Sequence, residues 1–181
     1  VRQATVETVP GYVGLLRGIN VGGRHRLPMA ELRAFLETSG FTEVRTYLQS
    51  GNVIFTSTGT VKLAALEAAL AEKFGFEITV VLRTPREMGR IVAGNPFPSV
   101  GPTKLHVAFM VEAPPSSAVE GLDVGAFAPE QVVLRGRDAY LHLPGGMGRA
   151  RLPSWLFGRL GVRATVRNWS TVTTLADLAD R

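Results

Sequence analysis

The chain reads as an α+β protein made of two tandem ferredoxin-like (βαββαβ) subdomains, each followed by an extra helix. Three observations predict this. Strand-like apolar runs and helical apolar stripes alternate in the order β-α-β-β-α-β, twice over. Turn, stop and start residues recur at a nearly constant offset: Gly51 answers to Gly136, Gly75 to Gly161 and Thr84 to Ser170, each pair about 85 residues apart. And 181 residues, 45% of them hydrophobic, can bury a sizeable core without disulfides or metals.

The elements follow in order. Residues 12–17 form a short apolar run, a strand. Over 28–39, Met29, Leu32 and Leu36 share one helical face, with Pro28 in the first turn and Gly40 as the stop. Residues 44–49 and 52–56 are strands around Ser50-Gly51, a hairpin signal. Leu63, Leu66, Leu70 and Phe74 mark a helix over 62–74, ended by Gly75, and 78–83 is a β-branched strand. Thr84-Pro85-Arg86-Glu87 is a capping box that opens a helix to about Ala93. The second copy places a strand at 104–111 and a short helix opened by Ser117 and Glu120. A hairpin follows over 131–135 and 139–143, around Gly136-Arg137-Asp138. A helix over 153–160 stops at Gly161, 163–167 is a strand, and Ser170 caps a last helix through Leu175 and Leu178. The expected organisation is a tail at 1–11, a first subdomain at 12–93, a linker at 94–103 ("GNPFPSVGPT") and a second subdomain at 104–181.

Composition narrows the function classes. The chain has no cysteine, which removes disulfides, thiolate metal sites and cysteine nucleophiles and fits a reducing compartment. No apolar run approaches the roughly 20 residues of a membrane helix, and "VRQATVETVP" lacks an apolar signal core, so a cytoplasmic protein with no membrane contact is expected. The net charge is +5, and seventeen of the twenty basic residues are arginine. A GC-rich coding bias would raise arginine together with alanine, glycine and proline, which are also plentiful, and is an equal alternative to a functional excess. The distribution is more telling. Arg17, Arg24 and Arg26 fall in a span with no acid, and seven arginines between Arg135 and Arg167 share one acid, Asp138.

Four separated stretches, "LLRGINVGG", "LPMAELRAFLETSGF", "TYLQSGNVIF" and "TVRNWSTVTTL", resemble a bacterial family known as domain of unknown function 1697, over a span from Tyr12 to Leu178. The recurrent motifs of that family fall on Arg17, Gly18, Asn20, Gly22 and Gly23, on Gln49, Ser50, Gly51 and Asn52, and on Arg167, Asn168 and Trp169. The resemblance marks positions. It implies no activity, substrate or catalytic residue.

Weighed as chemistry, the stretch from Gly18 to His25 approaches G-x-x-x-x-G-K-[ST]. Arg24 replaces the lysine, His25 replaces the hydroxyl that holds Mg²⁺, and Leu27-Pro28 interrupts the turn into the helix. A nucleotide-hydrolysing loop is not expected. Two readings stay open: glycines that expose backbone N–H groups to an anion, or glycines that only supply positive φ to a βα turn. Arg167 and Asn168, just ahead of Ser170, offer either a second anion site at a helix start or plain capping. The hairpin turn does not require Gln49 and Asn52, which could donate hydrogen bonds at the strand ends or bond each other. The candidate ligand set is therefore Arg17, Gly18, Asn20, Gly22, Gly23, Arg24, Gln49, Ser50, Asn52, Arg167, Asn168 and Ser170, meeting at the junction of the two halves.

His25, His106 and His142 show no metal-ligand spacing, and neither a metal nor a cofactor is expected. Nucleic acid is the rival partner. Yet strand 52–56 lacks the stacking aromatics of an RNA-recognition sheet, and Tyr12, Tyr47 and Tyr140 are scattered. A surface shared by Arg149, Arg151 and Arg163 would support salt-sensitive phosphate contact. Three classes result: a binder of a small phosphate-bearing anion, a basic nucleic-acid-binding module, and an enzyme whose catalytic residues the sequence does not mark. No feature indicates an oligomeric state.

Overall fold

The computed structural model describes residues 11–181. Of the expected tail, residues 1–10 lie outside the described part, and Gly11 already belongs to the first strand. The order is β1 (Gly11–Arg17), α1 (Met29–Thr38), β2 (Thr42–Tyr47), β3 (Asn52–Thr56), α2 (Leu63–Phe74), β4 (Thr79–Arg83) and α3 (Pro85–Ala93). It continues with β5 (Leu105–Met110), α4 (Ser116–Glu120), β6 (Gln131–Arg135), β7 (Asp138–His142), α5 (Leu152–Leu160), β8 (Ala164–Asn168) and α6 (Trp169–Ala179). Two four-stranded antiparallel sheets result, ordered β2-β3-β1-β4 and β6-β7-β5-β8. This is the expected α+β fold with two ferredoxin-like subdomains.

Alternation along the central strands explains the layers. Leu16 of β1 packs with Val53, Phe55 and Val80 beneath α1 and α2 (Leu32, Leu36, Leu70). Ala108 and Met110 of β5 pack with Leu141 beneath α5 (Leu152, Leu156, Leu160). The opposite faces of the two sheets meet in a shared core. There Val13, Leu15, Ile54 and Val81 join Val107, Phe109 and Tyr140, together with Met88 and Ile91 of α3 and Val172 and Leu175 of α6. The extra helix of each subdomain thus covers a sheet face that would otherwise be wet. This is why β5 is buried along its whole length.

Glycine performs the predicted stops. Gly75 and Gly161 end α2 and α5 in the left-handed conformation (φ 80° and 65°). The Thr84 capping box forms as expected, with Glu87 N–H donating to Thr84 Oγ1 and Thr84 N–H to Glu87 Oε2. Two other caps are corrected. α4 starts at Ser116 behind Pro115, with no side-chain cap, because the extended proline (φ −64°, ψ 143°) already occupies the N-cap position that Ser117 was expected to fill. α6 is capped by Asn168, whose Oδ1 accepts from Thr171 N–H at 2.9 Å, and Ser170 sits exposed inside the first turn. Asparagine caps as well as serine does, and here it follows directly on β8. β2 also begins and ends two residues early, with a bulge between Thr42 and Arg45. Glu43 (φ 51°) bends the strand there, and Leu48 (φ 60°) takes the chain out of the ladder before Gln49.

Candidate functional site

The glycine loop between β1 and α1 is a small structure in its own right. Val21 and Arg24 form an antiparallel bridge, Arg24 N–H donates to Val21 O (3.1 Å), and Gly22 and Gly23 both have positive φ (59° and 75°). That is a two-residue turn of the kind that needs positive φ at both central positions. A Cβ at either glycine would meet nothing within 4 Å, so conformation rather than crowding calls for glycine there. Asn20 fixes the base of the loop. Its Oδ1 accepts from Leu27 N–H (2.9 Å), and its Nδ2 donates to Leu27 O (3.0 Å) and to Gln49 O (2.8 Å). His25 closes the other side, with Nδ1 3.0 Å from Gly18 O and its ring stacked on Phe76 at 4.6 Å between centroids.

Beside this loop lies an open cleft of about 610 Å³, lined by Asn20, Gly23, Arg24, Arg26, Gln49 and the start of α1 from Leu27 to Ala30. The start of α1 has no side-chain cap, and among the described residues the Met29 and Ala30 N–H groups find no acceptor. A helix start in that state presents partial positive charge. Arg24 and Arg26 are exposed, and neither forms an ion pair among the described residues. Exposed Val21 and Leu48 stand on the two loops that the Asn20–Gln49 bond joins. Arg17, exposed at the end of β1, and Gly18 do not line the cleft.

Ser50, Asn52 and Arg167 do come together, but as a joint between the subdomains in which Asn52 and Arg167 are buried beneath the exposed Ser50. Arg167 is 8% exposed. Its Nε donates to Asn52 Oδ1 (2.6 Å), its Nη1 to Thr165 Oγ1 (2.7 Å) and Val166 O (2.9 Å), and its Nη2 to Leu16 O (2.8 Å) and Ser50 O (2.9 Å). The guanidinium has five N–H donors, and the protein uses them all. Asn52 in turn donates to Tyr47 O and Ser50 Oγ. Gly51 makes room for the joint, since a Cβ there would stand 2.5 Å from Ile19 Cδ1 and 2.9 Å from Leu16 Cβ. No carboxylate reaches Arg167, and burial lowers its pKa to about 10. Arg167 and Asn168, expected to complete a shared pocket, thus belong to this joint and to the α6 cap, and Ser170, expected there too, is exposed in the first turn of α6.

The internal repeat contains a second such joint, which the sequence reading missed. Arg83 of β4 sits opposite Val13 of β1, as Arg167 of β8 sits opposite Val107 of β5. Arg83 donates from Nε and Nη2 to Asp138 Oδ1 (3.1 and 2.8 Å), from Nη1 to Leu82 O (2.8 Å), and from Nη2 to Met110 O (3.0 Å) and Arg137 O (2.9 Å). The acceptors correspond: Met110 stands for Leu16, Leu82 for Val166, and Asp138, first in β7, for Asn52, first in β3. Each subdomain therefore inserts one arginine into the central strand end and hairpin turn of the other. The signal in the sequence was the pair Arg83-Thr84 against Arg167-Asn168, at nearly the same offset as the hairpin glycines.

The second arginine concentration is divided: four of its seven members are engaged, while Arg149, Arg151 and Arg159 are exposed. Arg137 pairs with Glu87 (2.7 Å), Arg163 with Glu67 (3.2 Å), Arg135 lies over the Tyr140 ring, and Arg167 is buried. Burial raises the Glu87 carboxyl, but the Thr84 backbone N–H and Arg137 outweigh it and hold its pKa below the ordinary value. His106 is buried with an unpartnered Nδ1, and burial holds its pKa down. Among the described residues no group of three His, Cys, Asp or Glu is placed to hold a metal ion, and no helix is long and apolar enough to cross a membrane.

Comparison with known proteins adds a family and a fold. The family model described as "Protein of unknown function (DUF1697)" matches residues 9–140, which takes in the glycine loop, the cleft and Arg83 and stops short of Arg167. No curated protein matches the chain. Among solved structures, the conserved bacterial protein SP0830 from Streptococcus pneumoniae superposes with a TM-score of 0.72 at 22% identity, over 96% of this chain and 100% of that one, and so shares its fold. With its signature loop folded as the wall of a basic cleft, this chain belongs to the DUF1697 family.

Proposed function

We propose that the protein binds a small phosphate-bearing anion in the cleft between the glycine loop and the start of α1. The observation that carries this reading is the convergence on one cleft of Arg24, Arg26 and the uncapped first turn of α1, with no acid among the lining residues. Asn20 and Gln49 complete the wall, and their mutual hydrogen bond fixes its shape before any ligand arrives. The volume lies within the range of small-ligand sites, roughly 300–1,000 Å³. The lining offers N–H donors and apolar side chains but no carboxylate, imidazole or hydroxyl, which favours binding over acid–base chemistry. The ligand would sit within the first subdomain rather than at the junction of the two. A nucleic-acid partner draws less support, since Arg137 and Arg163 already pair with Glu87 and Glu67 and Arg167 is buried.

Calorimetric titration with inorganic phosphate, pyrophosphate and nucleoside monophosphates tests the reading. Arg24→Ala and Arg26→Ala should each weaken binding by about 1.5–3 kcal/mol, the range for a hydrogen bond to a charged group. Arg17→Ala should change it by far less. Absence of binding at millimolar ligand, or equal affinity of wild type and both cleft variants, would contradict it.

A further inference from the structure

The two arginine joints share the Nε acceptor at the head of the hairpin strand, the preceding carbonyl at Nη1 and the central-strand and turn carbonyls at Nη2, but their charges differ. Arg83 meets a carboxylate, Asp138, while Arg167 meets a carboxamide, Asn52, at the corresponding place. Arg167 is thus a buried cation whose neighbours are all neutral acceptors. A buried charge is screened by salt far less than an exposed one. Its position also matters. Ser50 O, which takes an Nη2 hydrogen, is one residue from Gln49, and Gln49 lines the cleft and is bound there by Asn20. The same hairpin that receives the uncompensated cation forms one wall of the basic cleft.

We propose that Arg167 is a positioning residue for the anion site: it touches no ligand, but its unneutralised charge, held behind the hairpin from Ser50 to Asn52, strengthens anion binding in the neighbouring cleft. The proposal rests on the binding reading above. It assigns a function to the difference in charge between Asn52 and Asp138, which both accept from the Nε of the inserted arginine. A unit charge on the order of 10 Å from a singly charged anion, seen through an effective dielectric of about 20–40, changes its affinity roughly four- to fifteenfold, and a multiply charged anion responds more strongly.

The test supplies the missing carboxylate and reads pyrophosphate affinity by calorimetry. Thr165→Asp places a carboxylate at Arg167 Nη1 from β8, remote from the hairpin, and Thr165→Asn is its neutral counterpart of the same shape. Asn52→Asp, compared with wild type, does the same at Nε, although it also removes the donors to Tyr47 O and Ser50 Oγ. The second pair decides if Thr165→Asp fails to melt cooperatively. Each aspartate should weaken pyrophosphate binding at least about fourfold against its neutral counterpart. Thr60→Asp, with the same change in net charge on an exposed loop beyond the far end of β3, should leave affinity within about twofold. Equal affinity within each aspartate pair, in a protein whose binding still depends on Arg24 and Arg26, overturns the role of Arg167 alone. Absence of wild-type binding overturns the cleft reading and this one together.

Discussion

Arg83 and Arg167 occupy equivalent positions, and their surroundings decide what each one does. Burial pushes the Arg83 pKa down and the Asp138 pKa up, so desolvation offsets part of their attraction. Removing one partner is a different matter, because the other charge stays buried. Asp138→Asn turns the Arg83 joint into a copy of the Arg167 joint. Urea unfolding should show a loss of about 3–5 kcal/mol, the cost of breaking a buried pair from one side. A loss under 1 kcal/mol would mean that the Asp138 carboxylate adds nothing that a carboxamide does not supply to Arg83. The sequence marked Asp138 as the lone acid in a basic stretch and Arg167 as a family position. It could not show that a strand-end arginine would turn into the neighbouring subdomain, because that contact joins residues far apart in the chain.

At the level of elements, local chemistry was legible wherever it is self-contained. The Thr84 box needs only residues 84–87, and Gly75 and Gly161 need only their own φ, so these matched the structure. Ser170 was misread because two capping residues stand close together, and only the end of β8 decides between them. The register of β2 was misread because Glu43 and Leu48 adopt positive φ, which neither residue type signals. The caps provide a direct check. Thr84→Ala and Asn168→Ala should each cost about 1 kcal/mol in thermal or urea unfolding. Ser170→Ala should stay within about 0.5 kcal/mol, as exposed substitutions generally do. A Ser170 effect as large as that of Asn168 would restore serine as the cap.

For the whole molecule, the repeat was visible in turn glycines and helix starts, and it builds a nearly two-fold arrangement with a shared core and reciprocal arginine joints. The two halves diverge at the loop after the first strand. In the first half it carries the glycine turn and the basic cleft. In the second it runs through Pro114 and Pro115 into a five-residue helix. Part of the glycine loop is accounted for by the turn itself, since Gly22 and Gly23 supply positive φ. The remaining features of the loop, Arg24, Arg26 and the open start of α1, are the proposed anion site. It can be tested by titrating pyrophosphate into isotopically labelled protein and following backbone amide resonances. Saturable shifts are expected, concentrated at Gly23, Arg24, Met29 and Ala30, with the same titration curve at each. Shifts centred instead on Arg149 and Arg151, or small shifts spread evenly over the surface without saturation, would contradict it.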